Sequence, residues 1–468
     1  MHAIASRIAM ILSCGEAGNA KRGLSIMGPT GAKVISLDGV WRIALDPDNA
    51  GLRDEWHRAA PAGADRDACV PGTVQGAFPD YHGLAWYYRE FDAPAHPIEK
   101  GRALLTFHEV DFACAAWLNG MKVGEHEGLE EIFSFDVTDA VALAGPNLLA
   151  VRVLSPTNGP IDGLALGELA VGRRQYPEPN DHALATGGII GSVELSLVPE
   201  GYISDVYAIP DWLTGEVEVR VEAVGEGSHI KRCAFIAACS PAVGGRTLAE
   251  ACALGGEAAA VSDAPRGAHT LSLRMRVPDH RLWGLDDPYL YRATVRLTSP
   301  DGLTHDEKSV RFGFRDFRYE RGYFRLNGRR IRINGALYTV LNFPGAQSIP
   351  HDEDHIRRDV TNMKALGLNF VRIHCGSLLP RQLDALDEMG LLAVEESFGA
   401  GWPKDSPRIG PDWERSVTRV IRRDRNHPSI VIWSLLNEQK DNRLFRHAAA
   451  SIPAIRALDE TRLLLLNS

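Results

Sequence analysis

RDRNHPSIVIWSLLNE, residues 423–438, decides how the rest of the chain is read. A cationic, helix-like segment stops at His427-Pro428, because proline disfavours helical geometry in the residue before it. Ile430-Val431-Ile432-Trp433 then forms a short apolar run, the pattern of a strand buried on both faces. The segment closes on Asn437-Glu438. An amide and a carboxylate at the carboxyl end of a parallel strand stand where α/β barrels keep their chemistry. A glutamate there is a candidate general acid.

Working outward, the same rhythm fills the chain after Phe314. Phe324 to Ile333 holds an Asn-Gly hairpin at Asn327-Gly328, since both turn residues need positive φ. Ile356, Val360, Met363 and Leu366 share one helical face, and Gly367 ends that helix. Asn369 to His374 is a strand. Leu383, Leu386 and Met389 mark a helix closed by Gly390, and Leu391 to Glu396 is the next strand. Trp413, Val417, Val420 and Ile421 make a helix entered through Pro411, ahead of the opening stretch. Asn442 to Leu458 is a further helix and Arg462 to Asn467 a last strand. Such alternation means a parallel sheet with right-handed crossovers.

Before Phe314 the pattern is all-β. In 33–198 a second Asn-Gly hairpin, at Asn119-Gly120, joins Ala116-Trp117-Leu118 to Met121-Lys122-Val123, and short strands recur as in a sandwich or jelly roll. Asp162 to Ala185 is a long polar connection, usually a sign of function or disorder. In 199–313 alternating runs such as Val217-Val219-Val221 and Leu271-Leu273-Met275-Val277 fit an immunoglobulin-like sandwich, with Leu248 to Ala268 as a loop. Residues 1–32 read as a disordered leader. The fold class is therefore multidomain: a jelly-roll β-sandwich, an immunoglobulin-like β-sandwich, and an incomplete (β/α)8 TIM barrel over 314–468.

Composition bounds the function. The 468 residues are 45% hydrophobic and 24% charged, with a net charge of −9. That balance belongs to a soluble globular protein and excludes the basic footprint of a nucleic-acid binder. No apolar run approaches the roughly 20 residues that span a bilayer. Arg7 followed by Ile8 to Cys14 faintly resembles an export signal, but its apolar core is short. Seven cysteines, odd in number and without metal-ligand spacing, read as free thiols in a reducing, cytoplasmic setting. No metal or cofactor is indicated, and the oligomeric state stays open, a homo-oligomer included.

Taken together, the motifs resemble glycoside hydrolase family 2, the β-galactosidases, β-glucuronidases and β-mannosidases. Val70-Pro71-Gly72-Thr73, Trp86-Tyr87-Tyr88-Arg89, WLNGMKVGEHEG (117–128) and GGIIGSVEL (187–195) resemble its N-terminal domain. LWGLDDPYLY (282–291) and RFGFRDF (311–317) resemble its link into the barrel. HIRRDVTNMKALGLNFVRIH (355–374) and WSLLNE (433–438) resemble its barrel motifs. The likeness runs from residue 33 onward, and the order of the motifs over some four hundred residues carries it.

The resemblance implies a retaining glycosidase acting on terminal β-linked sugars. It makes Glu438 the acid/base, whose pKa then has to be raised by burial or a like charge. Arg372 is implied as electrostatic support for the carboxylates. Asn437 is implied as the partner of the sugar 2-hydroxyl, and Glu396 as a residue near the substrate. His374 and Trp433 are further candidates for sugar contact, as are Asp181 and His182 in the long polar connection.

Each has a plainer reading. Glu438 could start a helix, Asn437 cap one, Arg372 form a structural ion pair, and Trp433 and His374 belong to the core. Glu395 and Glu396 alternate, so one faces inward and the other pairs outward. The family's nucleophile ends a seventh barrel strand, whereas residue 468 stands thirty residues past Glu438, at the fifth. The barrel part is about 140 residues against about 250 for a full barrel. The expectation is a chain nearly inactive alone. The competing expectation is a non-catalytic carbohydrate-binding or scaffold protein using the jelly roll.

Overall fold

The computed structural model describes residues 30–64, 66–129, 131–169, 187–242, 252–255, 266–338, 353–374, 376–400 and 405–468. A six-stranded antiparallel sheet and a four-stranded one form the first unit. Between them lies one core that includes Trp41, Tyr87, Phe107, Val151 and Leu195. Asn119 and Gly120 take φ of 53° and 81°, the turn geometry that hairpin needs. The start of the long polar connection is anchored by Leu164, Leu166 and Leu169, which pack on Leu84, Phe112 and Leu154. Its remainder, with Asp181 and His182, lies outside the described residues.

The second unit packs a five-stranded sheet on a three-stranded one over Val206, Val219, Leu273, Val295 and Phe314. Two details differ from the sequence reading. Ala253–Gly255, inside the expected loop, pairs with Ala237–Cys239, an edge strand too short to show alternation. Thr30 and Gly31, placed in the leader, pair in parallel with Thr304 and His305.

In the third unit we number strands β1 (Gly335–Tyr338), β2 (Phe370–Ile373), β3 (Leu392–Glu396), β4 (Ile430–Ser434) and β5 (Leu463–Leu465). They form one parallel sheet in sequence order. The crossover helices are α1 (Glu353–Ala365), α2 (Pro380–Met389), α3 (Ile409–Asp424) and α4 (Arg443–Leu458). β3 and β4 are buried throughout, which is why they read as continuous runs rather than alternating ones.

Helix α3 shows how the sequence sets the layer. Trp413, Val417, Val420 and Ile421 recur on one face and are all buried, each worth roughly 1.5–3 kcal/mol. The Trp413 indole N–H also donates to the Leu435 carbonyl at 2.9 Å, tying the helix to the segment after β4. Helix α4 begins where Asn442 accepts the Phe445 N–H at 2.9 Å. Gly367 and Gly390 stop the chain after α1 and α2 with φ of 76° and 73°. Leu366, expected on the buried face of α1, is 77% exposed because it lies past the last helical residue, where the chain already turns.

The first unit leans on α3 through charge. Arg408 and Arg415 face Glu127, and Arg419 pairs with Glu131 at 2.7 Å. The second unit supports the amino ends of the strands, with the Trp283 indole N–H donating to the Asp387 carbonyl at 2.8 Å. Among the described residues no helix is long and apolar enough to cross a membrane.

Candidate active site

Three polar side chains meet at the carboxyl ends of the parallel strands. Arg372 is the third residue of β2, Glu396 the last of β3, and Asn437 stands three residues past β4. The Arg372 guanidinium donates to Glu396 Oε1 from Nε (2.9 Å) and Nη2 (2.6 Å). Nη2 also reaches Asn437 Oδ1 and Ser468 Oγ, both at 2.6 Å. The Glu396 side chain is fully buried and that of Arg372 is 27% exposed, so the carboxylate is paired with this cation out of contact with solvent.

Arg372 fixes more than charge. A guanidinium donates only, so the Asn437 atom facing it has to be the amide oxygen. The Asn437 Nδ2 is thereby turned away, and it is buried with no hydrogen-bond partner among the described residues. Leaving such a donor unpaired costs roughly 1–3 kcal/mol. The Asn437 backbone N–H is held by the Ala400 carbonyl at 3.0 Å, so the side chain cannot relax by moving its strand. A fixed, unsatisfied donor beside a carboxylate is what a hydroxyl-bearing ligand would complete.

Glu438 follows in the left-handed region, with φ of 50°. A side chain there costs roughly 1–2 kcal/mol, and such strain gathers at functional sites. The end of the chain holds it in place. Glu438 donates its N–H to the Ser468 carbonyl at 2.9 Å. Asn467 clamps the next residue from both sides, accepting the Gln439 N–H and donating to the Gln439 carbonyl, each at 3.0 Å. Glu438 is exposed, so the burial expected of an acid/base carboxyl is not supplied by the described residues.

The other candidates separate. Glu395 points to the helical layer, where its carboxylate accepts the Leu378 N–H at 3.1 Å, while Glu396 faces inward. His374 is buried just past β2, its N–H on the Tyr338 carbonyl at 3.3 Å. Trp433 is a correction. A bulge sets Ala393 opposite Ile430 but Val394 opposite Ile432, so strict alternation fails and Ile430 and Trp433 both join the helix-side core. The Trp433 indole donates to Asp459 Oδ2 at 2.8 Å, away from the strand ends. Asn467 and Ser468 were not foreseen, since they follow an apolar run that carries no chemical signal.

Three family models match along the chain. "Glycosyl hydrolases family 2, sugar binding domain" covers 69–163, "Glycosyl hydrolases family 2" covers 201–315, and "Glycosyl hydrolases family 2, TIM barrel domain" covers 318–468.

The chain belongs to glycosyl hydrolase family 2.

Solved structures agree on the fold. A β-glucuronidase from Ruminococcus gnavus bound to an N1-substituted uronic isofagomine matches with a TM-score of 0.73 at 23% identity, over 92% of this chain and 73% of that one. The same enzyme with D-glucuronic acid gives 0.73 at 22%, over 92% and 72%. A family 2 member from Bacteroides cellulosilyticus gives 0.69 at 19%, over 92% of this chain and 57% of that one. The family 2 chain is thus a glycosidase by membership, built as sugar-binding sandwich, second sandwich and parallel barrel sheet.

Proposed function

We propose that the chain contributes the acid/base half of a retaining hydrolysis of terminal β-linked sugars. The observation that carries this is the buried Asn437 Nδ2, aimed by Arg372 and left without a partner one residue before Glu438. In this reading Asn437 donates to a sugar hydroxyl and Arg372 holds the amide and Glu396 in register. Glu438 protonates the leaving oxygen and later deprotonates water. His374, buried at the end of β2, is a wall of the same site.

Retention needs a second carboxylate about 5–5.5 Å from the first. After Glu438 the sequence offers Asp441, Asp459 and Glu460. Asp441 is exposed and pairs with Arg446. Asp459 is buried against Trp433 and Tyr207. Glu460 is exposed in the turn before β5, within electrostatic reach of Arg220 of the second unit. In this reading none of these three is the second carboxylate. The sugar is left to experiment, with a β-glucuronide the first to try, given the named neighbours.

The test supplies azide as an external nucleophile. Aryl β-glycosides incubated with the chain and azide are expected to yield the α-glycosyl azide, and Glu438→Gln to suppress that product. Vigorous hydrolysis without azide that survives Glu438→Gln unchanged overturns the assignment.

A further inference from the structure

Away from the strand ends, the junction between the second unit and the barrel sheet gathers three arginines. Arg315, Arg425 and Arg462 all line one cavity of about 20 Å³, together with Pro210, Phe312 and Pro428. That volume is enough for one water-sized particle.

Their counter-charges do not balance. Asp459 serves Arg462, at 3.1 Å. It also accepts the Tyr207 hydroxyl at 2.8 Å, the Trp433 indole N–H at 2.8 Å, and the Thr461 N–H and hydroxyl at 2.9 and 2.7 Å. A carboxylate has about four lone-pair sites, so Asp459 is saturated. Burial pushes it upward, but Arg462 and the Thr461 and Trp433 donors prevail and hold it at about 2, fully ionised. Asp205 is taken by Arg425. Asp316, next to Arg315 in sequence, pairs with Arg318 at 3.3 Å.

Among the described residues Arg315 has no carboxylate at ion-pair distance, and Asp459 and Asp316 act on it only from further off. Its three nitrogens go to carbonyls only: Nε to Pro428 (3.0 Å), Nη2 to Ile430 (2.7 Å) and Nη1, weakly, to Thr461 (3.4 Å). Burial, and then the charge of Arg462, drive its guanidinium down to about 9 against the opposing pull of Asp459, Tyr207 and Asp316. Arg425 is 8% exposed, stacked on Tyr207 at 4.3 Å, and its Nε–H is buried with no partner among the described residues. Three guanidinium groups, with Asp459 and Asp205 each paired to one of them and Asp316 shared with Arg318, lie together with one unpaired donor and room for one particle.

We propose that this junction binds a single monatomic anion of chloride size among Arg315, Arg425 and Arg462. The ion neutralises the excess charge where the second unit meets the amino ends of β4 and β5, and so couples the stability of that interface to halide. Because the site lies apart from Arg372, Glu396 and Asn437, it stands or falls independently of the proposed hydrolysis.

The experiment is thermal unfolding of the full chain at fixed pH and ionic strength, with sodium gluconate replaced stepwise by sodium chloride or bromide. Above its dissociation constant, each tenfold increase in halide is expected to raise the midpoint by about 1–3 °C. Arg315→Met is expected to abolish that dependence. A wild-type midpoint equal in chloride and gluconate overturns the proposal, as does an Arg315→Met protein that keeps the full halide slope. Should Arg315→Met not fold, crystals of the wild-type chain soaked in bromide decide. An anomalous peak among the three guanidinium groups supports the site, and water alone there at saturating bromide overturns it.

Discussion

Replacing Arg372 by methionine tests the electrostatics on which the whole site rests. Glu396 loses the donors at 2.9 and 2.6 Å, and its side chain has no exposure through which water could replace them. Removing one partner of a buried ion pair costs roughly 3–5 kcal/mol. For a unit the size of this barrel sheet each kcal/mol moves the midpoint by about 2–4 °C, so calorimetry of the full chain should show a fall of roughly 6–20 °C. Adding Glu396→Gln should recover more than half of the loss at pH 7, because the amide carries no charge to strand. A fall below about 1 kcal/mol, or a double variant no more stable than Arg372→Met, refutes the reasoning.

Three further outcomes follow from the same geometry. Asn467→Ala removes both bonds to the Gln439 backbone, at about 0.5–1.5 kcal/mol each, and hydrogen exchange should show the Glu438 and Gln439 amides opening faster while those of β3 do not. At φ of 50°, Glu438→Gly should be about 1 kcal/mol more stable than Glu438→Ala by chemical denaturation, and equal stabilities would mean the left-handed backbone is not strained. His427 is buried, which opposes its charge, yet Asp387 at 2.6 Å, with Asp424 and Asp384 beyond it, raises its pKa above the ordinary 6.5. The stability this contributes is fully present below about pH 6.5 and is lost as pH rises through the higher folded value, so melting between pH 5.5 and 8.5 should be flatter for His427→Asn than for the wild type.

Much of this architecture is legible in the residues themselves. The buried strands announce themselves as apolar runs, the two Asn-Gly pairs fix hairpins through positive φ, and Trp413 to Ile421 marks the buried face of α3. Glu396 and Asn437 are legible because they close such runs with polar groups. What local pattern does not carry is anything set by a neighbour. The bulge opposite Ala393 turned Trp433 into the helical layer, and no periodicity within Ile430 to Ser434 reports it. Leu366 kept the helical spacing but fell beyond the end of the helix. Asn467 and Ser468 owe their place to strand order, since only the pairing of β5 with β4 brings them to Glu438. The charge excess at Arg315 is likewise invisible in sequence, because its partners come from residues more than a hundred positions away.

The central claim is that Glu438 acts as the general acid, and leaving-group dependence measures that directly. With azide as nucleophile, rates for a series of aryl β-glycosides are compared between the wild-type chain and Glu438→Ala, using leaving phenols of increasing pKa. Proton donation by a positioned side chain is worth about 10²–10⁴-fold. The account predicts a loss that is small for dinitrophenyl glycosides and grows to that size for phenyl glycosides. A loss of equal size across the series, or none, would contradict it.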